Sequence, residues 1–205
     1  MKRNNQPLIP ESTVKFLFIL CCSFLLLLSS CSKQETPGYK DQFHLIVGNY
    51  GPASGWIFYI NPNADQDGWK YLEAAPLDLS AKEWGTPGFS VTGADETDPG
   101  SGKQNTLDIV NFDTATLDKA AEACVNHSVT YSLKVYEDWY LPSKEELNLM
   151  YENLHQNGLG GFSDDFYWSS SEAGADKAWG QLFSNGMLRD DPKNYVYIIR
   201  AIRRF

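Results

Sequence analysis

Asp138-Trp-Tyr-Leu-Pro-Ser-Lys-Glu-Glu-Leu-Asn-Leu149 contains the clearest helix start in the chain. Ser143 and Glu146 form an S-x-x-E capping box directly after Pro142, a pairing that satisfies orphan amides at a helix N-terminus. Leu147, Met150, Tyr151 and Leu154 follow at i, i+3, i+4 and i+7, which makes one face apolar. His155-Gln-Asn-Gly-Leu-Gly-Gly161 ends the helix, its glycines free to take left-handed conformations. Short strands and loops flank this helix and one other, so the expected class is α+β.

Upstream, Ala115 to Asn126 carries Leu117, Ala120, Ala121 and Cys124 at helical spacing and predicts the other helix. Cys124 beside two alanines reads as a small buried thiol rather than a nucleophile. Farther upstream, Gly55-Trp-Ile-Phe-Tyr-Ile60 is an aromatic, β-branched run closed by Asn61-Pro-Asn. Lys70-Tyr-Leu-Glu-Ala-Ala75 is its expected hairpin partner, across a turn at Asp65-Gln-Asp-Gly68. Those aspartates lack the spacing of an EF-hand and read as a solvated turn. Gly85 to Gln104 is rich in Gly, Thr, Pro and Asp and predicts a long loop region, of the kind that often carries function. Downstream, Phe166-Tyr-Trp-Ser-Ser-Ser171 and Ala178-Trp-Gly-Gln-Leu-Phe183 read as short strands, with a tight turn at Ser184-Asn-Gly186. Tyr195 to Ile202 reads as a closing strand, which places Arg200 and Arg203 where they can pair with acidic neighbours.

The first thirty residues are of another kind. Lys2, Arg3 and Lys15 precede a 13-residue apolar run, Phe16 to Leu28, too short to span about 30 Å of hydrocarbon but suited to a signal peptide. Leu28-Ser-Ser-Cys31 then resembles a bacterial lipobox, with Cys31 as the lipidated N-terminus of the mature protein. Each buried acyl methylene contributes about 0.8 kcal/mol, so several chains hold such a protein at a membrane. The expected organisation is a lipoprotein signal peptide over 1–30, a lipidated polar tether over 31–42 and one domain over 43–205. Ser32 after Cys31 gives no aspartate-type retention signal, which favours the outer membrane of a diderm cell. Of 205 residues, 17 are basic and 26 acidic, for a net charge of −9. Cleavage before Cys31 removes three basic residues and one acidic residue and takes the charge to −11. Binding to nucleic acid, which needs basic patches, is therefore not expected. Cleavage also leaves Cys124 as the only unlipidated cysteine, so no internal disulfide is expected.

The ordered set Asp138 to Leu149, Gly161-Phe-Ser, Tyr167-Trp-Ser-Ser-Ser-Glu172, Ala178-Trp179, Phe183-Ser-Asn-Gly186 and Arg200-Ala-Ile-Arg203 resembles the Lcl C-terminal domain family. Gly55 to Ile60, Leu72-Glu-Ala-Ala-Pro76, Trp84-Gly85 and Asn105-Thr106 extend the resemblance over roughly Val47 to Phe205. The family was long catalogued as a domain of unknown function in bacterial surface proteins. The resemblance implies a C-type-lectin-like single domain with two helices and short antiparallel strands. It also implies adhesion or recognition of an extracellular ligand. One relative recognises sulfated glycosaminoglycans, a function that needs clustered Lys and Arg and fits poorly with a mature charge of −11.

No catalytic constellation stands out. His44, His127 and His155 are far apart, with no H-x-x-x-H or H-E-x-x-H spacing for zinc, and no G-x-S-x-G occurs. The lectin-like fold is shared with formylglycine-generating enzymes, but those use two cysteines and only Cys124 is available here. The calcium signatures of sugar-binding C-type lectins are missing, so no cofactor is expected, and bound calcium would have to rest on loop carboxylates without a motif. Trp56, Trp139, Trp168 and Trp179 sit in apolar runs and read as core. Trp84 has two readings, a ligand platform at the mouth of the loop region or a cover for the core edge. The expected ligand surface is formed by Gly85 to Gln104 and Ala173 to Lys177, with Trp84, Glu172, Asp176 and Lys177 as candidate contacts for a glycan or protein. A spatially assembled enzyme site and a purely structural envelope component are the alternatives.

Overall fold

The computed structural model describes residues 45–112 and 118–205. The signal peptide, the lipobox with Cys31, the tether, His44 and the first residues of the expected helix at Ala115 lie outside the described residues.

The capping box forms as expected. Ser143 N–H donates to Glu146 Oε2 at 2.7 Å, and Glu146 N–H donates to Ser143 Oγ at 3.3 Å. The strands before and between the helices are β1 (Trp56–Ile60), β2 (Tyr71–Ala74), β3 (Leu79–Glu83), β4 (Val129–Tyr131) and β5 (Lys134–Tyr136). After the capped helix come β6 (Phe166–Gly174), β7 (Lys177–Leu182), β8 (Met187–Pro192), β9 (Val196–Ile199) and β10 (Ile202–Arg204). The helices among the described residues are α1 (Ala64–Asp67), α2 (Gly102–Phe112), α3 (Ala120–Val125) and α4 (Lys144–Asn153), with a 3₁₀ turn at His155–Asn157. The class is mixed α+β, with strands predominating.

The expected first hairpin is present: β1 pairs antiparallel with β2, and β10 lies on the other side of β2. The expected turn at Asp65–Gly68 is a single helical turn, α1, closed by Gly68 in the left-handed region. The larger sheet has the order β3-β9-β6-β7-β8, and its β6 and β9 run parallel. The Asn-Gly turn joins β7 to β8, as expected. The closing segment is not one strand. It breaks at Arg200 and Ala201, leaving β9 in the larger sheet and β10 in the smaller, which accounts for its imperfect alternation.

The α2 helix corrects the expectation that Gly85 to Gln104 is all loop. Its buried face is Gly102, Asn105, Thr106 and Ile109, helical in period but mostly polar. Gly102 must be glycine, because a Cβ there would sit 2.2 Å from Glu146 Oε2 and 2.6 Å from Ser143 N. Thr106 Oγ1 donates to Gly102 O at 2.7 Å and accepts from Leu141 N at 3.0 Å, which ties α2 to the lead-in of α4.

Two apolar clusters form the core. Phe58, Leu72, Tyr140, Leu147, Met150, Leu154, Tyr167 and Phe183 make the one that receives α4. Trp84, Trp139, Trp168, Cys124 and Ile199 belong to the other. Trp139 and Trp168 are core as expected, whereas Trp56 and Trp179 are only half-buried. Trp179 lies beneath the Lys144 ammonium, 4.1 Å from its ring centroid. Arg200 and Arg203 do pair with acids: Arg200 with Asp78 at 2.7 Å, Arg203 with Glu73 at 3.0 Å and Asp138 at 2.8 Å.

Candidate functional site

A long loop must find hydrogen-bond partners for its peptide groups, and here buried polar side chains supply them. Lys193 Nζ donates to Phe89 O at 2.7 Å, and Val91 N–H donates to Glu172 Oε1 at 2.9 Å. Glu96 O accepts from both Asn105 Nδ2 and Ser171 Oγ at 2.7 Å. Ser143 Oγ donates to Asp98 O at 3.0 Å, and Gly100 N–H donates to Glu146 Oε1 at 2.8 Å. Ser171, just before Glu172, and the acid of the capping box therefore also hold the loop in place.

The end of β6 joins the same frame. Glu172 N–H donates to Ala94 O at 2.7 Å, and Gly88 N–H donates to Ala175 O at 3.1 Å. Between the two segments lies an open depression of about 420 Å³, lined by residues 90–93, Asp95 and residues 172–174. Parts of both expected ligand segments therefore meet in one place.

Under the depression is a buried ion pair. Glu172 and Lys193 are joined through Oε1 and Nζ, with side chains 6 % and 1 % exposed. The Lys193 ammonium lies 4.8 Å from the ring centroid of Trp84, whose Nε1–H donates to Ser169 O at 2.8 Å. Trp84 is 1 % exposed, so no ligand reaches its face. Of its two readings the structure supports the core-edge one, because β3 leads the indole inward beneath Lys193.

The remaining candidates divide. Glu172 lines the depression. Asp176 and Lys177 sit at the exposed turn between β6 and β7, outside the lining. Asp176 contributes its carbonyl, which accepts from Lys193 N at 2.9 Å, and Lys177 pairs with Asp190 at 2.9 Å. The structure adds Ser90, Thr92, Gly93, Asp95 and Lys193, none of which belongs to a recognisable motif. The first four lie inside the expected loop, where composition marks a region but no position. Lys193 is a single lysine after Pro192 and becomes meaningful only through Glu172.

Other reactive groups lie apart from the depression. Cys124 is fully buried, and desolvation pushes its thiol far above the ordinary range. Burial likewise lowers the pKa of His127. His155 contacts Asp164 at 3.3 Å among Tyr151, Phe162 and Phe183. Among the described residues, no three His, Cys, Asp or Glu side chains group so as to hold a metal ion. No helix among them is long and apolar enough to cross a membrane.

No family model matches the chain, and no curated protein matches it. Among solved structures, a fimbrial protein from Bacteroides ovatus is similar at 18 % identity and a TM-score of 0.43. The match covers 78 % of this chain and 42 % of that one, so the chain spans less than half of that protein's length.

Proposed function

We propose that this chain is a lipid-anchored bacterial envelope protein whose single lectin-like domain binds an extracellular glycan or protein and acts by binding, not catalysis. The observation that carries the reading is the depression between residues 90–95 and 172–174, a surface recess held open by buried polar clamps. A binding site needs such pre-organisation, because a loop that must first be ordered spends ligand affinity on its own entropy. Its lining combines two hydroxyls, two carboxylates and glycine backbone, groups that suit a hydrogen-bonding ligand. The resemblance to the Lcl C-terminal domain family supports a surface role, and Leu28-Ser-Ser-Cys31 supports the anchor.

The test is a glycan array probed with the full chain, with and without calcium, and repeated with Thr92→Trp, which places an indole in the depression. Binding that the substitution abolishes supports the reading. A blank array overturns the glycan form, and hits unaffected by Thr92→Trp overturn the assignment of the site.

A further inference from the structure

The charges around the depression select among ligands. Glu172 is 7 % exposed, and its Oε1 accepts from both Val91 N–H and Lys193. Its Oε2 makes no hydrogen bond among the described residues, yet it is not among the sealed polar atoms that lack a partner. Glu172 thus lines the depression with a nearly buried carboxylate, one oxygen of which has no donor among the described residues. Asp95 stands exposed in the same lining and adds a second carboxylate.

Among the described residues Asp95 forms no ion pair. The lining contains no Lys or Arg, and the Lys193 ammonium is buried and already bound by Glu172 and Phe89 O. Lys177, the exposed lysine nearest in sequence, is held by Asp190. The pair of Glu172 with Lys193 is neutral, so Asp95 leaves the recess with negative potential and two acceptor sites that want donors.

Resting on the binding reading above, we propose that the depression takes a polyhydroxylated ligand bearing hydroxyl or amino donors, an uncharged or amino-bearing saccharide, through Glu172 Oε2 and Asp95. Sulfated and carboxylated saccharides are excluded. An anion entering the recess would lose hydration and meet two carboxylates with no free donor cation. An ammonium would meet an acceptor at the floor and another at the wall.

The experiment compares three oligosaccharides of matched length on the amide-labelled full chain: a chitosan hexamer, a chitin hexamer and a heparin hexamer. Amide shifts at residues 90–95 and 172–174 report the place of binding. The chitosan oligomer is expected to bind tighter than the chitin oligomer by about fivefold, the size of one partly exposed ion pair. The heparin oligomer is expected to leave these amides unmoved. Asp95→Lys, an exposed substitution that leaves the buried clamps intact, is expected to erase the preference for the amine. Heparin binding in the depression, equal affinity for chitosan and chitin, or an order unchanged by Asp95→Lys would overturn the inference while the binding reading stands. Silence of all three probes at these amides would overturn the inference, while the array with Thr92→Trp decides the binding reading separately.

Discussion

Lys193 and Glu172 show how one pair of residues holds a site together. Each is almost fully buried, and each also bonds a backbone group of the loop above. Such a pair contributes little net stability when both partners are present, but removing one strands a charge. Lys193→Met should therefore destabilise the fold by about 3–5 kcal/mol. The double variant Lys193→Met with Glu172→Gln should recover part of that loss by removing the uncompensated charge. Urea unfolding of the three proteins measures this, and a double variant less stable than Lys193→Met would refute the clamp. Neither partner's role could be read from the chain. Glu172 is at least marked by its aromatic, serine-rich strand, but Lys193 lies 21 positions away in an unremarkable turn. Burial decides its role, and burial depends on the tertiary structure.

The helices divide between the two kinds of sequence signal. The start of α4 was legible because a capping box is local chemistry: two side chains three positions apart satisfy each other's backbone. The α2 helix was not, because Asn105 and Thr106 occupy its buried face and a search for apolar period passes over them. They are buried to receive partners from Leu141, Glu96 and Ser170, and no local pattern announces those. The capping box has a further consequence. Glu146 is completely buried, and desolvation raises its pKa from 4.5 to about 7 despite bonds from Ser143 and Gly100. The folded state then holds the proton more tightly than the unfolded state, so this group's contribution to stability is full below pH 4.5. It falls as the pH rises and is gone above about pH 7, a loss on the order of 3 kcal/mol. Gln keeps an acceptor for the box and cannot ionise. Glu146→Gln should lose less stability than the wild type between pH 5 and pH 8, as urea midpoints at the two values would show; parallel losses would refute the assignment.

For the whole molecule, the lipid anchor proposed above makes attachment a matter of acyl chains rather than of charge. Among the described residues no helix is long and apolar enough to span a membrane, and cleavage before Cys31 would take the net charge from −9 to −11, which repels anionic lipid. On the proposed reading, attachment comes from acyl chains on Cys31. At about 0.8 kcal/mol per buried methylene, one chain binds only reversibly and two or three hold firmly. Cys31→Ser should therefore move the protein out of the membrane fraction altogether, whereas high salt should not release the wild type. Ultracentrifugation of lysed cells, with detergent-phase partitioning of the pellet, separates these outcomes. A Cys31→Ser protein that still sediments with membranes would place the anchor elsewhere, and release of the wild type by salt would make the attachment electrostatic, contrary to the charge of the chain.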